Sequence, residues 1–303
     1  MGATLSCVTD GFENGVGSPG LGDIPESCVA SILIYLSPRD ICNLARLNRV
    51  FRGAASSDAV WERKLPQNYS NILSHIESNR SLNLSKKSIF SLLSSPIPFD
   101  DNTKAVWVDK ETSGLTVSVS SKGLSITGID DRRYWAWVPT EESGYVSFDK
   151  GMNWCVLMCE VLRYGVVAYL NQIWWFEVEG FVRFPLPVGR YAVNFRIHMG
   201  KFAKKLGRRV CGYENTHGWE KPVRFEVSTS DGQEASAEVV IDEPRGCWVK
   251  YKVGDFVVSE PAVPLEIRFS MKQIDCTHTK GGLCLDSVFI HPSFDGQMCS
   301  SQI

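Results

Sequence analysis

Residues 21–66, LGDIPESCVASILIYLSPRDICNLARLNRVFRGAASSDAVWERKLP, leave less conformational choice than any other part of the chain. Apolar residues recur there at three- and four-residue steps, the spacing that lines one face of a helix. Ile24-Pro25 opens a first helix bearing Cys28, Val29, Ile32, Leu33 and Leu36, with Asp23 at the expected N-cap and Glu26 three residues on. Ser37-Pro38 stops it and starts a second helix with Ile41, Leu44 and Ala45, Ser37 capping and Asp40 following three residues later. Val50, Phe51 and Ala54 supply a third apolar stripe, and Trp61 with Leu65 a fourth that Pro66 ends. A module of about forty-five residues is too short to bury a full core unaided. Part of its apolar surface is therefore expected to belong to a partner.

The ordered run Ile24-Pro25, Ile32, Leu36, Asp40-Ile41, Val50, Phe51-Arg52, Ala54 and Trp61 resembles an F-box, a small helical module that docks on a Skp-type adaptor and through it joins a cullin-based ubiquitin ligase. Another helical bundle would share the binary pattern, but not the Pro, the Phe-Arg pair and the Trp at these offsets. The resemblance implies an adaptor-binding set of Ile24, Pro25, Cys28, Ile32, Leu36, Ile41, Leu44, Val50, Phe51 and Trp61. Of these, Pro25, Ile32, Leu36 and Phe51 are expected to lie partly exposed in the isolated chain.

At 303 residues, 44% hydrophobic and 22% charged, the chain has ordinary globular composition and room for two unequal parts. A net charge of −2 argues against a general nucleic-acid binder. The ten cysteines follow no framework spacing, and no charged-then-apolar leader precedes them, so they read as reduced thiols of a protein of the nucleus and cytoplasm. The longest apolar stretch, CVLMCEVLRYGVVAYL, contains Glu160 and Arg163 and is no membrane span. MGATLS fits an N-myristoylation pattern with Gly2 as acceptor, and Cys7 can take a second acyl chain. Membrane association is expected only if these are acylated; the alternative is an unmodified, disordered leader over residues 1–20.

Residues 67–99 stay helical and polar, with apolar clusters at Ile72, Leu73 and Ile76 and at Ile89, Phe90, Leu92 and Leu93, and read as a helical linker. From SSPIPFDDNTKA onward the period becomes two: Leu115, Val117 and Val119; Tyr191, Val193, Phe195 and Ile197; Val223, Phe225 and Val227; Leu265, Ile267, Phe269 and Met271. With turns at Ser230-Asp231-Gly232 and Gly281-Gly282, residues 100–295 read as an antiparallel β-sandwich or jelly roll, and 296–303 as a tail. The fold class is thus α+β, an all-helical N-terminal module followed by an antiparallel sandwich.

SITGIDDRRYWAWVP, GCWVKYKVGDF and KGGLCLDSVFIHP occur in the order found in phloem protein 2 domains, and this region is similar to that family of plant lectins related to Nictaba. With an F-box ahead of it, the chain resembles the phloem protein 2 A group. A sugar site needs an aromatic face for the apolar side of a pyranose ring and fixed polar groups for its hydroxyls. The resemblance implies such a role for Tyr134, Trp135, Trp137 and Trp248, with Trp135 matching a family binding tryptophan. Gly128 stands where the family has its other tryptophan, and Lys250 where a carboxylate usually follows. N-acetylglucosamine oligomers are therefore expected to bind weakly or not at all. Read from the strand period, Trp135 and Trp137 can equally pack into core and rim, and of Trp174-Trp175 one would point outward on a strand.

Residues 149–167, DKGMNWCVLMCEVLRYGVV, fit neither resemblance and read as an insertion or a gene-model artefact. Catalytic constellations are absent: the five histidines form no HExxH, and no GxSxG, P-loop or dinucleotide fingerprint occurs. Cys276, His278 and Cys284 fall short of a closed zinc site, so neither metal nor cofactor is expected. GKFAKKLGRR reads as a solvated hairpin end that can also serve in nuclear localisation. The expected function is that of a non-catalytic substrate receptor of a Skp–cullin–F-box ligase, whose sandwich recruits a protein target, glycoproteins included. The rivals are a lectin acting without the ligase and a carbohydrate-active enzyme, which would need two carboxylates in one cleft.

Overall fold

The computed structural model describes residues 20–76, 84–110, 112–139, 164–205, 208–212, 216–241, 247–261 and 263–293. The N-terminal module comprises α1 (Glu26–Leu33), α2 (Pro38–Leu44), α3 (Arg49–Ala54) and α4 (Asp58–Glu62). Ser37 caps α2 with its side chain: its Oγ accepts from the Asp40 amide at 3.1 Å and donates to Asp40 Oδ2 at 2.7 Å. At α3, Asn48 Oδ1 accepts from the Phe51 amide at 2.9 Å. Asp23 does not cap α1 as expected. The N-cap position is Pro25, whose side chain has no acceptor, and the Asp23 carboxylate instead accepts from the Gly20 amide at 2.8 Å.

Val29, Leu33, Ile41, Ala54, Val60 and Trp61 form the inside of the module. Trp61 donates its indole N–H to the Ala55 carbonyl at 2.8 Å and sets its ring 5.1 Å from Phe90 on α6 (Lys86–Leu93). Along α5 (Tyr69–Ile76), His75 meets Phe184 edge-on at 5.1 Å, while Asn68 just before it donates to the Pro185 and Pro261 carbonyls at 2.9 and 3.1 Å. Within the segment read as a linker, α5 packs on the sandwich and α6 on the module, and the buried apolar residues of module and sandwich form one continuous cluster. The sheet also starts earlier than expected, because β1 (Ile97–Phe99) pairs with β2 (Lys104–Val108).

Two antiparallel sheets enclose the main core. The larger runs β1, β2, β3 (Leu115–Ser120), β15 (Leu283–Pro292), β6 (Val166–Leu170) and β5 (Trp135–Pro139), with β8 (Gly189–Met199) and β13 (Trp248–Val258) added beside β15. The smaller runs β12 (Glu234–Val239), β11 (Val223–Thr229), β14 (Leu265–Gln273), β7 (Phe176–Phe184) and β4 (Ser125–Ile126). Phe195 of the larger sheet meets Phe225 at 5.6 Å and Phe269 at 6.0 Å across the interior, as strand alternation requires. The basic run forms the hairpin β9 (Lys201–Lys205) and β10 (Arg208–Gly212).

Of the suspected insertion, residues 149–163 lie outside the described residues, but residues 164–167 belong to the domain. Val166 and Val167 open β6, and the Tyr164 hydroxyl bonds the Ser118 carbonyl at 3.1 Å. Pro139 and Val166 are register partners, so the two ends of the intervening segment meet across one antiparallel pair.

Candidate functional site

The helical module divides its apolar residues between two tasks. Val29 and Leu33 of α1 point inward, while Ile32 is 57% exposed and Pro25 and Cys28 are also exposed. Ile24, Leu36, Leu44, Val50 and Phe51 are half-buried, each resting partly on the core. Ile41 and Trp61, expected on the adaptor face, are buried within the chain itself and hold the helices together. The apolar surface includes residues that the helical period passes over: Leu21, Tyr35, at 88% exposure, and Leu47. Tyr35 and Leu47 occupy the turns closing α1 and α2, outside the three- and four-residue repeat.

The four aromatic residues assigned to sugar binding do not converge. Trp135 is only 2% exposed: its indole N–H bonds the Thr127 carbonyl at 3.0 Å, and its ring lies 6.3 Å from Phe176 in the core. Trp137, two residues along β5, reaches the rim, with Lys122 Nζ 6.0 Å from its ring. Trp248 belongs to a separate apolar cluster with Val167, Tyr169 and Cys284, under the Arg196 guanidinium at 4.7 Å. Tyr134 is partly buried, with the Arg133 guanidinium over its ring at 5.5 Å. Gly128 sits beside Tyr134 at φ +75°, a left-handed turn position that disfavours the family tryptophan. Trp174 and Trp175 are both exposed, because they precede β7 in a bend rather than lie on a strand.

That bend is held firmly. Ile173 bridges to Lys280, and the Lys280 ammonium, on a fully buried residue, donates to the Trp174 carbonyl at 2.6 Å and to the Asp275 carbonyl. Trp219 donates its indole N–H to the Gly281 carbonyl at 2.8 Å, and the Cβ position of Gly218 is filled by the Thr279 carbonyl, so only glycine fits. The Trp175 indole N–H, together with Lys272, holds the Glu177 carboxyl below its usual range. Burial lowers the Lys280 pKa from 10.5. The unfolded chain therefore holds this proton more tightly, and the residue's contribution to stability grows as pH rises from its folded pKa toward 10.5. Lys280→Met should lose about 1–3 kcal/mol of stability through two carbonyls left without a donor. It should also flatten that alkaline slope in denaturant titrations run across pH; unchanged stability and slope would refute the clamp.

Among the described residues no group of three or more His, Cys, Asp or Glu side chains could hold a metal ion. Cys276 and Cys284 do not join in a site: Cys276 is exposed, and Cys284 is buried with its thiol on the Gly200 carbonyl at 3.4 Å. Gly2 and Cys7, the acylation candidates, lie outside the described residues.

A four-helix module with part of its apolar surface uncovered, packed against an antiparallel jelly roll, is the architecture of an F-box protein with a second, all-β domain. Residues 21–67 match the F-box-like family and residues 115–292 match Phloem protein 2, so the chain belongs to the phloem protein 2 family of F-box proteins. It is 56% identical to F-box protein PP2-A15 of Arabidopsis thaliana over 97% of this chain and 96% of that one. With F-box protein PP2-A12 of the same plant it shares 52% identity over 91% of this chain and 88% of the relative. Among solved structures it is similar to TmCBM61 in complex with beta-1,4-galactotriose, with 16% identity, a TM-score of 0.28, and cover of 56% of this chain and 87% of that one.

Proposed function

We propose that the chain is a substrate receptor: its helical module binds a Skp-type adaptor, and through it a cullin, while the sandwich holds a protein target. The observation that carries this reading is the split within the module. Val29, Leu33, Ile41 and Trp61 suffice to pack it, yet Pro25, Ile32, Tyr35 and Leu47 remain exposed. Fully covering each large apolar side chain contributes roughly 1.5–3 kcal/mol, so an adaptor helix seated there gains substantial affinity. The chain's role is proximity: it raises the effective concentration of target lysines beside the charged ubiquitin carrier and supplies no catalytic group. The proposed compartments are nucleus and cytoplasm, with membrane association confined to an acylated form at Gly2 and Cys7.

Affinity purification of the full chain from plant cells with mass spectrometry tests the reading. Adaptor and cullin are expected in the eluate, and both should be lost with Ile24-Pro25→Ala-Ala while the sandwich stays folded. Recovery of glycoproteins without adaptor or cullin would favour a lectin acting without the ligase.

A further inference from the structure

The outer face of the smaller sheet floors a trough of about 1170 Å³, walled at the β4 end by the Asp100–Thr103 turn and residues 122–124. Strand register sets Ser125, Glu179, Ser270, Glu226 and Ser236 in line, one from each strand. That row alternates hydroxyl and carboxylate across the whole sheet. In the next row Phe181 stands opposite Arg268 and is 54% exposed on an otherwise polar surface. Lys104 Nζ lies 4.9 Å from the Phe181 ring centre, and this lysine is itself buried and paired with Asp100 at 2.5 Å. The buried cation fixes the ring by cation–π attraction while the ring's remaining surface stays open to the trough.

Three of the four carboxylates on the strands of this floor are compensated by a neighbouring cation. Glu226 pairs with Arg224 at 2.8 Å, Glu266 with Arg268 at 2.7 Å, and Glu179 with Lys272 at 2.6 Å. A paired carboxylate keeps free lone pairs and a paired guanidinium keeps free N–H donors. The surface can therefore donate and accept many hydrogen bonds, most of its charge is neutralised locally, and what remains is acidic and disfavours an anionic ligand. An uncharged molecule with many hydroxyls and an apolar C–H face matches this combination, whereas a nucleic acid or a phosphorylated peptide does not.

We propose that this trough binds a neutral glycan chain, with a pyranose ring stacked on Phe181 and its hydroxyls read by Glu179, Ser270 and Glu226. Five strands span about 19 Å, enough for several sugar units, so affinity should rise with chain length. The site is separate from Tyr134, Trp135, Trp137 and Trp248, and it stands whether or not the chain serves a ligase.

Calorimetric titration of the full chain with neutral gluco-, xylo-, manno- and galacto-oligosaccharides, from mono- to hexasaccharide, tests the site. The expected result is affinity that grows with length, is insensitive to salt, and falls at least about tenfold in both Phe181→Ala and Glu226→Gln. Thermal melts establish that each variant is folded. The same glycans on a carrier glycoprotein separate two sources of one chemistry: tighter binding to the carrier assigns a protein-linked glycan and equal binding a free one, either supporting the site. No binding of any series at millimolar concentration would overturn the proposal. So would binding that survives both folded variants, binding lost instead in Trp175→Ala, or a preference for acidic peptides abolished by salt. Neither trough variant should alter recovery of adaptor and cullin, so failure here leaves the receptor reading in place.

Discussion

Ile32→Asp is expected to weaken adaptor binding by about a hundredfold while leaving the thermal midpoint of the isolated chain unchanged. Ile32 is 57% exposed, so the free protein loses little contact when it is replaced. In the complex its side chain would be covered, and the substituted carboxylate would have to be buried without a partner. Trp61→Ala should behave differently. Trp61 fills the module interior, bonds the Ala55 carbonyl and packs on Phe90 of α6, so its loss should cost about 3–5 kcal/mol of folding stability before binding is considered. Measuring adaptor affinity and unfolding midpoint on both variants separates the two roles. An Ile32→Asp chain that binds as tightly as the parent would reject the docking face.

Trp135→Ala should destabilise the sandwich by about 3–5 kcal/mol, because it empties a large site in a close-packed interior and removes the donor to the Thr127 carbonyl. Trp137→Ala, on the same strand but at the rim, should change stability by less than about 0.5 kcal/mol. Denaturant titration reads both. If Trp135→Ala melts like the parent but loses glycan affinity, the buried placement of Trp135 is wrong and the family role holds. If it unfolds early, any loss of glycan binding in that variant reports folding, and Trp135 is a core residue.

The sequence by itself was enough for most local structure, the cap of α1 being an exception because Pro25, not Asp23, stands at its N-cap. Ser37 with Asp40 spells the cap of α2, the apolar steps of residues 21–66 spell short helices, and alternation in Val223–Thr229 and Leu265–Gln273 spells half-buried strands. Those signals depend on neighbours three or four residues apart in a helix, or two apart in a strand. Phe181 also left a trace, as an aromatic residue at an outward position of β7 between inward Gly180 and Val182. The Cβ position of that glycine is crowded to 2.6 Å by Leu124 and Phe269.

Tertiary structure alone decided which apolar residues are spare. Helical periodicity marks Ile41 and Trp61 as apolar-face residues just as it marks Ile32 and Phe51, and only the tertiary packing, with Ile41 fully buried and Trp61 set against Phe90 of α6, shows that the first two are consumed inside the chain. It also decided that α5 and α6 are wedged between module and sandwich, through Asn68 on Pro185 and Pro261 and His75 on Phe184, contacts across more than a hundred residues, and through Phe90 on Trp61. The placement of the aromatic residues was hidden for the same reason. Strand period says that Trp135 and Trp137 share a face, but whether that face meets the core, the rim or solvent depends on where β5 sits beside β6. The Ser–Glu row of the trough joins five strands from distant parts of the chain, and its alignment exists only once hydrogen-bond register has brought them side by side.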